Sequence, residues 1–103
     1  MKHGRTDNNQ KQLVEAMRKC GMTVAVTSDL PKFCDLVVGY HGKSFLFEVK
    51  SPGGKLTKDQ VKFWTLWRGQ INIIETIDDV LRYVWMSPKD LNDIRNKQFL
   101  ERQ

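Results

Sequence analysis

The sequence predicts an α/β protein, a small mixed sheet between helical layers, and three observations predict those layers. Two β-rich runs, Cys34–Gly39 and Ser44–Lys50, are joined only by Tyr40-His41-Gly42-Lys43, so short a joint that they must be neighbouring antiparallel strands. Leu36, Val37 and Val38 are consecutively apolar, and Phe45, Leu46, Phe47 and Val49 nearly so, the pattern of a sheet covered on both faces. The flanking segments carry apolar residues at three- and four-residue spacing, and the order reads α-β-β-β-α-β-α-α.

Each element has its own signal. Leu13, Val14 and Met17, with Ala16 beside them, predict a first amphipathic helix over Asn9–Cys20, capped by Asp7, Asn8 or Asn9 and stopped by Gly21. Met22–Thr27 is a short strand, and Pro31 keeps Ser28–Lys32 out of regular pairing. After the hairpin, Ser51-Pro52-Gly53-Gly54-Lys55 breaks the sheet. Thr57 and Gln60 then form a capping box, with Leu56 placed to staple against Val61, and this helix runs through Phe63, Trp64, Leu66 and Trp67 towards Gly69. Ile71–Ile74 is another strand. Ile77–Val84 is a helix begun by Thr76 or Asp78, and Ser87-Pro88 opens a terminal helix through about Leu100, with Pro88 at the tolerated first turn.

The chain of 103 residues is one domain by length, with residues 1–8 expected to be flexible and 87–103 a C-terminal helical extension. With 40% hydrophobic and 28% charged residues it can build a core. No apolar stretch approaches the roughly 20 residues of a membrane span, and the polar start has no signal-peptide pattern, so a soluble, intracellular protein with no membrane partner is expected. Cys20 and Cys34 have neither metal-site nor disulfide spacing and are expected to be reduced, buried thiols. The net charge of +5 permits an anionic partner such as nucleic acid. Ser51–Lys55 does not complete a GxxxxGK[ST] loop, which gives nucleotide hydrolysis no support.

Three charges inside the hairpin point to chemistry. Asp35 begins one apolar strand, while Glu48 and Lys50 end the next, two residues apart and therefore on one face. An Asp and a Glu on adjacent strands can converge on a hard divalent cation, Mg²⁺ or Mn²⁺, with water and the Val49 carbonyl completing the set. Lys50 can then position a water or stabilise the anionic transition state of phosphodiester hydrolysis. Any one of these carboxylates alone is more economically a solvated strand end.

The segment Cys34-Asp35-Leu36-Val37-Val38-Gly39-Tyr40, then Gly42-Lys43, Glu48-Val49-Lys50 and Leu56-Thr57-Lys58-Asp59-Gln60-Val61, resembles the PD-(D/E)XK nuclease superfamily and, more narrowly, its VRR-NUC family, in particular small stand-alone phage members. The likeness runs from about Asp7 to Leu81. It implies a restriction-endonuclease-like three-layer α/β/α core and a metal-dependent DNA endonuclease, leaving a 5′-phosphate and a 3′-hydroxyl, in the cytoplasm of a phage-infected host cell. Asp35, Glu48 and Lys50 fall on the family's catalytic positions and Gln60 on its following glutamine; Gln60 can serve the helix cap, the site, or both. Two positions depart from the family pattern. Cys34 stands where a proline is common, and it reads as a buried small residue rather than a nucleophile. The first-helix glutamate has Gln10 as its nearest counterpart, an amide that can orient water without adding charge, since Glu15 falls off the Leu13/Met17 register.

Other features have plainer readings. His41 is a turn residue and His3 belongs to the terminus. Phe63, Trp64 and Trp67 read as core or dimer contact before base stacking. Over residues 43–68, six basic side chains, with Lys43, Lys55, Lys58 and Lys62 the candidate DNA contacts, stand against two acidic ones. The expected working unit is a C₂ homodimer acting on DNA, with branched or junction DNA as a suitable substrate. The rival readings are a catalytically weak DNA-binding protein with this fold and a structural subunit that docks through its aromatic helix.

Overall fold

A computed structural model describes the backbone of residues 3–103 and side chains from residue 9 onward. Among the described residues four helices and four strands follow one another as α1 (His3–Lys19), β1 (Thr23–Val26), β2 (Leu36–Tyr40), β3 (Lys43–Val49), α2 (Lys58–Leu66), β4 (Asn72–Ile74), α3 (Ile77–Tyr83) and α4 (Pro88–Glu101). The sheet order is β1-β2-β3-β4, antiparallel except for the parallel β3–β4 pair. The crossover that parallel pairing requires is supplied by α2. This is a small mixed α/β domain with the predicted order of elements.

Alternation along the strands divides the core in two. Val24, Leu36, Val38, Phe45, Phe47 and Val49 point to one face and pack with Leu13, Val14 and Met17 of α1 and Val80 and Tyr83 of α3. Ile73 on the opposite face, with half-buried Val37 and Leu46, joins Cys34, Leu56, Ile71 and Trp64, and Phe99 of α4 packs against them. The continuous apolar runs in the sequence thus reflect a sheet covered on both sides.

Several predicted boundaries move for identifiable reasons. α1 begins at His3, so Asp7, Asn8 and Asn9 lie within the helix rather than at its cap. Of the residues 1–8 expected to be flexible, Met1 and Lys2 lie outside the described residues. The hairpin turn is only His41-Gly42, because φ of 51° and 77° at these two residues gives the mirror-image turn whose twist matches that of the strands. α2 carries the expected reciprocal Thr57–Gln60 cap but ends at Leu66, before Gly69. Thr76, rather than Asp78, caps α3, and Ser87 caps α4.

The C-terminal segment is part of the domain rather than an appendage. Gln98 of α4 accepts from the Ile73 amide and donates to the Ile73 carbonyl, both at 2.9 Å, so it pairs with the β4 edge as another strand would. Gln70 does the same for Leu46 just before β4 begins, at 2.7 and 3.0 Å. Trp64 is fully buried against Phe99, and Leu91 is buried in the core, which reduces the apolar surface either helix offers to a second subunit. Cys20 is exposed, contrary to expectation, because it lies in the turn after α1; Cys34 is buried. Among the described residues no helix is long and apolar enough to cross a membrane.

Candidate active site

The β1–β2–β3 register builds the site. Leu36 pairs with Phe47, so the preceding Asp35 and the following Glu48 stand opposite each other on the second face of the sheet. The Thr27 amide donates to the Asp35 carbonyl at 2.8 Å, which anchors the entry to β2. Asp35 Oδ2 accepts from the Val49 amide at 2.9 Å. A side chain here takes the place of the next backbone rung, so the strands part at the point where the carboxylates meet.

Glu48 is only 1% exposed. Its Oε2 accepts from Gln60 Nε2 at 2.8 Å, while its Oε1 is buried with no hydrogen-bond partner. Burial, reinforced by the charge of Asp35, pushes the Glu48 carboxyl up to about 9; Lys50 pulls the other way but weaker. A neutral glutamic acid with an unused oxygen, set against a second carboxyl group, is the kind of arrangement that a divalent cation relieves.

Gln60 links two of the three predicted charges, Glu48 and Lys50. Its Oε1 accepts from the Thr57 amide at 2.9 Å and from Lys50 Nζ at 2.7 Å, while Nε2 reaches Glu48. The cap and the site therefore share one amide without competing for it. Asp35, Lys50, Gln60 and the backbone of Val49, whose side chain is buried on the other face, line a cavity of about 630 Å³ with Asn9, Ser51, Gly54, Lys55 and Thr57. Glu48 lies behind this wall, reached through Gln60.

The remaining candidates divide. Lys55 lines the cavity, Lys58 is exposed in the first turn of α2, and Lys62 lines a second groove. Lys43 sits at the other end of β3, five residues or roughly 17 Å from Glu48. His41 is exposed beside it and packs with Tyr40 and Trp85. Gln10 is buried and donates to Ser28 Oγ at 3.2 Å, next to the Thr27 that anchors Asp35, with its own Oε1 unpartnered. Among the described side chains of α1, Asn9, one residue earlier, lines the cavity, and Glu15 is exposed. Burial raises the Cys34 thiol to about 11, opposed by a hydrogen bond with Thr27, so it stays protonated and is a poor nucleophile.

Sequence reasoning missed Arg102. Its guanidinium donates to the Gly54 carbonyl at 2.9 Å and pairs with Glu75, and its carbonyl accepts from the Leu56 amide at 2.8 Å. A side chain at Gly54 would be tight: a Cβ there would stand 3.0 Å from the Ser51 carbonyl and 3.5 Å from the Lys50 side chain. Arg102 thus holds the loop against which Lys50 rests, a tertiary role with no local sequence signal. Among the described residues there is no cluster of three or more His, Cys, Asp or Glu side chains suited to a metal; the candidate set rests on the two carboxylates. No protein-family model, curated protein or solved structure matches the chain.

Proposed function

We propose that this chain is a divalent-metal-dependent DNA endonuclease of the VRR-NUC type with a restriction-endonuclease-like core. The observation that carries the reading is the pairing of Asp35 with a buried Glu48 whose free oxygen has no partner, linked through Gln60 to Lys50 at a cavity wall. Asp35, Glu48 and the Val49 carbonyl would hold Mg²⁺ or Mn²⁺. Such an ion would supply a Lewis acid for phosphate oxygens and acidify water. Lys50, fixed by Gln60, orients the attacking water and stabilises charge developing on the scissile phosphate. Gln60 keeps the ammonium and the Glu48 carboxyl in register, and Lys55 draws the phosphate backbone to the cavity. The working unit on branched DNA is a C₂ homodimer, which brings two sites to opposite strands.

Incubating end-labelled branched and duplex DNA with Mg²⁺ or Mn²⁺ tests this. Cleavage by the wild type that Glu48→Gln abolishes is the expected result; undiminished cleavage by Glu48→Gln removes the assignment. A catalytically weak DNA-binding protein is the second reading, favoured by amides at both Asn9 and Gln10 where a third acid would strengthen metal binding. It predicts DNA binding without metal-dependent product.

A further inference from the structure

A second groove lies on the neighbouring face of the helix that carries Gln60. It has a volume of about 300 Å³ and is lined by Lys32, Asp59, Lys62, Phe63, Leu66 and Trp67. Phe63 and Trp67 stack with ring centroids 5.1 Å apart, and Phe33, two residues before Asp35, meets Phe63 edge-on at 5.8 Å. The groove therefore shares α2 with Gln60, and its Lys32 lies three residues before Asp35 in the loop that leads into β2.

The aromatic shelf is fixed in place. Trp67 Nε1 donates to the Gln70 carbonyl at 3.1 Å, and its backbone amide to the Phe63 carbonyl at 2.9 Å. A side chain at position 69 would come within 3.0 Å of that indole nitrogen, so Gly69 gives the ring its place. Yet Leu66 is 77% and Trp67 36% exposed. An apolar shelf beside two ammonium groups and one carboxylate complements a flat base followed by a phosphate. It is small for a subunit contact: a specific interface covers about 800 Å² on each partner, whereas one wholly exposed aromatic side chain offers about 150–250 Å².

We propose that this groove binds an unpaired nucleotide base of single-stranded DNA, with Trp67 as the stacking surface and Lys32 and Lys62 on its phosphates. This rests on the nuclease reading and deepens it: the substrate carries a single-stranded segment next to the bond that is cut.

The test uses the full chain in EDTA, a fluorescein-labelled duplex with a single-stranded oligothymidylate tail, and a blunt duplex of equal length. Wild type binds the tailed probe more tightly, and Trp67→Ala weakens that binding by about tenfold while leaving the blunt probe unchanged. The exposed pair Lys32→Gln and Lys62→Gln, which takes nothing from the core, lowers the salt dependence of tail binding by about 1.4 in log–log slope. Equal tail binding by wild type and Trp67→Ala, an unchanged slope in the double lysine variant, or a sedimenting dimer that Trp67→Ala dissociates, overturns the proposal. The nuclease reading is judged separately with Mn²⁺. Cleavage without Trp67-dependent tail binding rejects the groove alone, and Trp67-dependent tail binding without cleavage rejects the nuclease alone.

Discussion

Replacing Glu48 by glutamine should stabilise the metal-free protein while abolishing the proposed nuclease activity. The carboxyl titrates near 4.5 when solvated and near 9 in the folded chain, because burial and Asp35 disfavour its charge. Between those values the folded state keeps a proton that the unfolded chain has released. Stability from this group is therefore lost as pH rises, by about 1.4 kcal/mol per unit, or about 3 kcal/mol from pH 6 to pH 8. Glutamine has no such proton, and its oxygen can still accept from Gln60 Nε2. Against a total stability of about 5–15 kcal/mol, that difference is large. Urea denaturation of wild type and Glu48→Gln in EDTA across this range should show the variant gaining on the wild type as pH increases. A gap that stays constant with pH, or a variant that loses ground at pH 8, refutes the reasoning.

Other perturbations test the surroundings. Gln98→Leu leaves both polar groups of Ile73 without their partner and should cost about 2–4 kcal/mol, read as a lower urea midpoint with an unchanged m-value; an unchanged midpoint would show that α4 does not protect the β4 edge. Asn9→Asp should strengthen Mn²⁺ binding more than Gln10→Glu, because Asn9 lines the cavity whereas Gln10 bonds to Ser28; calorimetric titrations giving the reverse order would place α1 in a different rotation. Arg102→Gln should lower kcat with little change in metal affinity, since it frees the Gly54 loop against which Lys50 rests; equal kcat in the two proteins would confine Arg102 to stability.

What was legible in the sequence was local or followed a fixed period. The Thr57–Gln60 box and the Thr76 and Ser87 caps lie within three residues of their partners, so the chain spells them out. Asp35, Glu48 and Lys50 could be set together because a strand alternates every second residue and a short hairpin fixes its register. The start of α1 was not legible, since its first turn carries no acidic residue to mark it. The choice between Asn9 and Gln10 was equally hidden, because one residue turns a helical side chain by about 100°. Gln70, Gln98 and Arg102 act on backbone 24 to 48 residues away, and no local pattern announces such contacts. The aromatic helix was legible only in part, for a related reason. Its spacing showed an apolar face, but only packing shows that Phe99 covers Trp64 while Trp67 stays open.

The central claim is that Asp35 and Glu48 form a divalent-cation site. A crystal structure of the wild type grown with Mn²⁺, with anomalous scattering recorded above the manganese edge, tests it most directly. The account predicts one strong peak bonded to Asp35, Glu48 and the Val49 carbonyl, absent from Glu48→Gln crystals grown alongside. Manganese elsewhere on the chain, with Glu48 still bonded to Gln60 and its other oxygen unpartnered, would contradict it.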